Sequence, residues 1–215
     1  MGRCFLAAGA LLVLASLAHT PKCLDGHCPV ENLSSLPRTG DMPVRAHTGI
    51  VLELPPAVRT RNWGGGSCVH ASNVNLLKQM GQQELADWWR KNYSGGEYDT
   101  RLVSRLEAAG LKYAWISDSR SHDSDGDGTA DGEEFFYWCM RTGRGAGIFY
   151  KPSHSINFAG MDEQYVYLLD NNATDYPERV GYYERVPRAD FFRRWRSYGG
   201  FAWTLIYDPL PGGPQ

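Results

Sequence analysis

Helical periodicity fills the first part of the chain and strand periodicity the last, which excludes the alternating βαβ plan of a parallel sheet. Over residues 67–80, Val69, Val74, Leu76 and Leu77 lie along one side of a helix, and Gly81 closes it. Residues 84–93 repeat the pattern through Leu85, Trp88 and Trp89, with Ser94-Gly95-Gly96 as the stop, and residues 98–109 repeat it through Leu102, Val103 and Leu106 up to Gly110. Residues 111–116 read as a strand, followed by an acidic loop and a helix over 133–142. After Gly143 come short runs with strand character at 146–150, 155–159, 165–169 and 202–207, the last preceded by a short helix at 191–198. Residues 49–54 alternate as a further strand, stopped by Pro55-Pro56. The expected fold is α+β, an N-terminal helical lobe packed against a C-terminal antiparallel sheet.

A length of 215 residues is enough for one well-buried domain and short for two. The first 18 residues carry Arg3, then an apolar run too short for a comfortable bilayer span, then the small residues Ser16 and Ala18. They are read as a signal peptide whose removal takes Cys4 with it and leaves no stable membrane span. Residues 19–48, rich in Pro, Ser, Thr and Gly, are expected to be a flexible tether, and residues 49–210 the folded domain. A secreted or periplasmic location exposes the remaining cysteines to oxidation, so Cys23 and Cys28, flanking a turn-like tetrapeptide, are a plausible small-loop disulfide. Cys68 paired with Cys139 is the competing structural reading of Cys68.

Formal net charge is −2, yet six acids between Asp123 and Glu134 contribute −6, leaving +4 on the rest. Arg193, Arg194 and Arg196 are interleaved with aromatics on an expected helix and form no phosphate-tracking stripe, so nucleic acid is not an expected partner.

Chemistry concentrates first at Cys68, at the end of Asn62-Trp63-Gly64-Gly65-Gly66-Ser67-Cys68. A thiol at a helix N-terminus meets unsatisfied backbone N–H groups and the positive end of the macrodipole, so thiolate forms nearer neutrality than the ordinary ~8.5. A cystine needs neither the glycine run before it nor the helix behind it. His154 and the polar run Asp170-Asn171-Asn172 supply an imidazole and a group to orient it. A turn at 160–164 makes the start of one strand and the end of the next neighbours, which puts His154 beside Asp170. Asn171 and Asn172 are alternatives for that role. His70 is excluded as proton partner, because two residues on a helix diverge by about 200°. It is read as a helix-surface or cleft-lining residue, and Trp63 as a cleft or packing residue.

In chain order and spacing these motifs resemble the papain-like cysteine peptidases, in which a cysteine opens the central helix and a histidine begins a strand of the facing sheet. Gly66-Ser67-Cys68 is similar to that family's Gly-Ser-Cys. Asn62 stands six residues before Cys68, where the family has a glutamine whose amide helps bind the oxyanion; asparagine is one methylene shorter, and the Cys68 backbone N–H is the safer donor. Aspartate in the third position is closer to the bacteriocin-processing branch. The resemblance implies Cys68 as nucleophile, His154 as acid and base, Asp170 as orienting residue, and a peptide or other acyl substrate.

A second motif spans residues 123–134. Asp123, Asp125 and Asp127 supply oxygens, Gly128 the sharp turn, Thr129 a carbonyl, Asp131 a water-mediated ligand and Glu134 a bidentate carboxylate, which is the EF-hand pattern for Ca2+. Ala130 departs from it, as does the lack of a helix before Asp123. A structural ion in a strand–loop–helix setting is expected, the alternative being a solvated acidic insertion.

The chain thus reads as an exported cysteine peptidase or related hydrolase. The rival readings are an acyltransferase or amidase using the same residues, and a calcium-dependent binding protein with a vestigial site. Asn32, Asn92 and Asn172 stand in glycosylation sequons, and a sugar on Asn172 would crowd Asp170.

Overall fold

Almost none of helix α1 (Cys68–Gln79) faces water: every residue from Cys68 to Leu77 is buried. Its apolar residues account for one side only. The other carries His70, Ser72, Asn73 and Asn75, each fully buried, and buried polar groups persist only when hydrogen-bonded. Asn73 Oδ1 accepts the Trp203 indole N–H at 3.1 Å, and Asn75 Oδ1 accepts the Thr60 N–H at 2.7 Å. Asn157 Nδ2 donates to the Ser72 carbonyl at 3.0 Å, while its Oδ1 accepts Asn75 Nδ2 at 3.3 Å. Polar residues therefore stitch this helix to the sheet.

The structure, a computed structural model, describes residues 49–172 and 183–206. The expected signal peptide, tether, Cys23 and Cys28 lie outside the described residues. After α1 come α2 (Gln83–Asn92), α3 (Asp99–Ala108), β1 (Tyr113–Ser117), α4 (Asp131–Arg141), β2 (Ala146–Lys151), β3 (His154–Met161), β4 (Tyr165–Leu169), β5 (Glu184–Pro187), α5 (Arg188–Ser197) and β6 (Phe201–Leu205). The strands form one antiparallel sheet in the order β1-β6-β2-β3-β4-β5. The α+β architecture expected from the segregated periodicities is the one observed.

Alternation along the central strands feeds two cores. Ile148, Tyr150, Ile156 and Phe158 join Phe136, Phe191 and Trp195 of α4 and α5 on one face. Ala159, Leu169, Trp203 and Leu205 join Val74, Leu77, Trp89 and Leu102 of α1, α2 and α3 on the other. A sheet covered on both faces needs large side chains on both sides, and the 13% aromatic content supplies them.

Three segments depart from expectation. Strand β5 is largely exposed, so Glu184-Arg185-Val186-Pro187 carries no apolar alternation to announce it, and α5 begins at Arg188, earlier than 191. Residues 49–54 join no ladder. The Val51 and Leu52 N–H groups both reach the Ala159 carbonyl, at 2.7 and 2.9 Å, beside the irregularity in β3 between Phe158 and Gly160. Gly160 sits at φ +148° with Gly49 and Ile50 against it, so a side chain there would collide with backbone.

Gly147 of β2 lies under the Trp203 ring with no room for a Cβ. Gly147→Ala is expected to destabilise the domain by about 1–3 kcal/mol through overpacking, read as a lower urea midpoint at unchanged m.

Candidate active site

Gly64, Gly65 and Gly66 all have positive φ, at 107°, 58° and 88°, a path that side chains with a Cβ resist. This turn presents Cys68 at the tip of α1. The loop between α2 and α3 braces it: the Gly95 N–H donates to Ser67 Oγ at 3.1 Å, and Gly96 packs on Gly66.

His154 opens β3, and Asp170 follows the last residue of β4. Pairing of Asn157 with Leu169 brings these strand ends together. His154 Nε2 lies 2.8 Å from Asp170 Oδ1. Cys68 and His154 act on each other electrostatically, the imidazole lowering the thiol and the thiol raising the imidazole. The Ser155 N–H donates to Cys68 Sγ at 3.3 Å, and the thiol faces the Gly66 carbonyl at 3.6 Å. The structure thus brings Cys68 against the backbone on either side of His154, and His154 against Asp170. Cys68 and Cys139 are both free thiols, so the competing cystine is absent.

The electrostatics follow from these contacts. Burial raises the Cys68 pKa, but the His154 imidazole and the Ser155 N–H outweigh it and bring the thiol below its ordinary value. Burial pulls His154 down, while hydrogen bonds to Asp170 and Cys68 and their charges bring it up to about 9. Burial also raises Asp170, yet His154, the Lys151 ammonium and the Asn172 N–H hold it well below the usual carboxylate range. A thiolate beside an imidazolium is the arrangement these shifts favour.

The three polar residues after β4 divide the work. Asp170 holds the ring. Asn171, buried, spends its amide on the Cys68 carbonyl, Ser72 Oγ and the Ser155 carbonyl, each at 3.0 Å, and so ties α1 to β3. Asn172 donates its backbone N–H to Asp170 Oδ1 at 2.8 Å and turns its side chain toward His154 Nδ1 at 3.4 Å. Asn62 is also in the cluster: its Nδ2 donates to Asn172 Oδ1 at 2.9 Å, and its Oδ1 accepts the Gly64 N–H at 3.2 Å.

Sequence reasoning missed Lys151, whose Nζ lies 2.6 Å from Asp170 Oδ2 and 3.6 Å from Glu184 Oε2. The signal was present in Lys151-Pro152-Ser153-His154, because a two-residue turn sets Lys151 opposite His154. His70 is a correction. It is fully buried, not cleft-lining: Trp89 donates to its Nδ1 at 3.3 Å, and Glu97 lies 3.5 Å from its Nε2. Burial, then Arg105 and Arg101, lower its pKa to about 4. Glu97, bound to both arginines, supplies the partner that α1 by itself does not reveal. Trp63 packs partly buried on the helical core with the Arg90 guanidinium over its ring.

The acidic loop has its own geometry. Carboxylate oxygens of Asp123, Asp125 and Asp127 lie within 4.8 Å of one another. Backbone N–H groups of Gly126 and Gly128 meet Asp123, and that of Thr129 meets Asp127 Oδ1. Asp131, buried at the start of α4, accepts the Ser124 N–H at 2.8 Å. Glu134 has a raised pKa, from burial and then from the charges of Asp125, Asp127, Asp131 and Asp123. Glu133 turns to Arg196 instead. The oxygens at these positions fit a hard cation. Buried Asp118 anchors both ends of the loop through the His122 and Gly132 N–H groups.

No helix among the described residues is long and apolar enough to cross a membrane. No protein-family profile matches the chain, and no curated protein matches its sequence. Among solved structures it is similar to a protein described as a C39-like peptidase from Bacillus anthracis, with a TM-score of 0.51 at 15% identity over 74% of this chain and 97% of that one. It is also similar to a double-glycine-motif protease from an AMS/PCAT transporter in complex with the leader peptide, with a TM-score of 0.45 at 14% identity over 69% of this chain and 94% of that one. The fold of this chain is that of the papain-like peptidases.

Proposed function

We propose that this chain is a papain-like cysteine peptidase with Cys68 as nucleophile, His154 as acid and base, and Asp170 as the orienting carboxylate. The observation that carries the reading is that Cys68 Sγ meets both neighbours of His154, the Ser153 carbonyl at 4.0 Å and the Ser155 N–H at 3.3 Å, while the His154 ring lies 2.8 Å from Asp170 Oδ1. The likeness in fold to a protein described as a C39-like peptidase supports it. Cys68 thiolate attacks the scissile carbonyl carbon, and the developing oxyanion takes N–H donors from the Cys68 backbone and the Asn62 side chain. His154 imidazolium gives its proton to the departing amine as the C–N bond breaks, leaving an acyl thioester. Water then attacks the thioester carbonyl while His154 accepts its proton, and the C–S bond breaks to return thiolate. Asp170 keeps the Nε2 proton in place throughout, and Lys151 holds the far oxygen of Asp170.

An export route through the 1–18 leader remains part of this proposal, as does bound calcium. Asp123, Asp125, Asp127, Thr129, Asp131 and Glu134 would hold the ion. Its charge would relieve the mutual repulsion of these acids and so order the segment between β1 and α4.

Cys68→Ala and His154→Ala are each expected to reduce hydrolysis of a peptide panel by at least about a thousandfold, with the native chain alone labelled at residue 68 by a thiol-directed probe. Labelling of the Cys68→Ala chain at the native rate, or transfer to an amine in place of hydrolysis, would move the site to another reaction class.

For the pH dependence the sign follows from the two shifts. Thiolate is lost as pH falls through the depressed Cys68 value, and imidazolium is lost as pH rises through about 9. A bell-shaped hydrolysis profile with its basic limb near 9 is expected. In His154→Ala the burial penalty on Cys68 stands unopposed by the imidazole, so iodoacetamide alkylation at pH 7 is expected to slow by about tenfold or more.

Thermal unfolding tests the ion. Addition of ~10 mM calcium to chelator-treated protein is expected to raise Tm by about 3–10 °C, and Asp125→Ala to abolish the rise. An equal response in native chain and variant would leave the loop a solvated insertion.

A further inference from the structure

The side-chain amides around His154 form a chain whose direction is fixed. A backbone N–H only donates, so the Asn62 atom 3.2 Å from the Gly64 nitrogen is Oδ1. Nδ2 is then the Asn62 atom that faces Asn172, and the Asn172 atom receiving it at 2.9 Å is Oδ1. Asn172 accordingly presents Nδ2 to His154 Nδ1 at 3.4 Å. At the other end of the ring, Nε2 stands 2.8 Å from a carboxylate oxygen and carries a proton. Each link has one polarity, and together they describe a neutral imidazole protonated on Nε2 with a lone pair on Nδ1.

Cys68 needs that same nitrogen, because Nε2 is taken by Asp170. An imidazolium carries a proton on Nδ1 as well, and an amide N–H cannot donate to an N–H. We propose that Asn172, held by Asn62 and the Gly64 backbone, is a positioning residue whose amide caps His154 Nδ1 and competes with Cys68 for it. The inference rests on the Cys68–His154 pair being the reactive pair. Asn172 adds weight to the thiol–imidazole form, against the thiolate–imidazolium form that the other groups around the ring favour. Opposing it are the anionic groups around the ring, Cys68 of α1 and Asp170 after β4, while the Lys151 ammonium of β2, shared between Asp170 and Glu184 of β5, works with it by offsetting the Asp170 charge. Asn62 and Asn172 are 110 residues apart, so the contact also reports that the glycine turn and the β4 end have closed on each other.

The test reads the His154 titration directly, by NMR of ring-labelled full-length protein carrying Cys68→Ala, so that no thiolate contributes. Adding Asn172→Ala is expected to raise the His154 pKa by about 0.5–1 unit, the worth of one hydrogen bond to the neutral form. Adding Asn62→Ala instead is expected to raise it by less, because Asn172 then loses its anchor but keeps its amide. In chains that retain Cys68, Asn172→Ala is expected to shift the acid limb of iodoacetamide alkylation to lower pH. An unchanged or lowered His154 pKa in both asparagine variants, with circular dichroism intact, overturns the inference. Because none of these readouts uses peptide hydrolysis, a raised pKa in a chain that cleaves no peptide sinks the peptidase reading and leaves the competition standing.

Discussion

The seam between α1 and β3 is the contact on which the geometry of this site depends. It is made of amides. Asn157 and Asn75 face each other across it, Asn171 binds the Cys68 carbonyl and the Ser155 carbonyl together, and Ser72 is drawn in from both sides. Apolar contacts tolerate sliding by fractions of an ångström, but hydrogen bonds between buried groups fix distance and register, since a partner lost in a dry interior costs about 1–3 kcal/mol. The Cys68 sulfur and the His154 ring come from opposite sides of this seam.

Around the seam, each group that approaches the reactive pair is itself held. The glycine turn before Cys68 is backed by Gly95 and Gly96, and the loop that carries them continues into buried Glu97 with Arg101 and Arg105. His70, inside α1, meets that carboxylate from below. Asp170 has its two oxygens divided between His154 with the Asn172 N–H on one and Lys151 on the other. A carboxylate so surrounded stays ionised and does not rotate, which keeps the imidazole aligned.

The acidic loop lies outside this arrangement, at the β1 edge of the sheet. Asp118, Arg196 and Glu133 tie its ends to α5, and Gly132 fits under Trp195 with no space for a side chain. Its acids are accordingly gathered by backbone N–H groups and by the framework at both ends, and the lack of a helix before Asp123 is made good by this anchoring.

The order of helices and strands, the helix-tip position of Cys68 and the hairpin that carries His154 toward Asp170 were legible in the sequence, because each depends on periodicity, turn residues or short-range spacing. Other features belong to tertiary structure. Strand β5 is exposed and carries no alternation, so only its pairing with β4 defines it. Asn73, Asn75 and His70 look like solvent-side helix residues until Trp203, Thr60 and Glu97, from other parts of the chain, close over them. Which of Asp170, Asn171 and Asn172 faces Nε2 was likewise decided by how the strand ends meet, whereas the place of Lys151 opposite His154 follows from the two-residue turn between them. Local pattern records what a segment can bury along its own axis. The partner of a polar group is chosen by which distant backbone the packed sheet brings within about 3 Å, and no spacing along the chain encodes that.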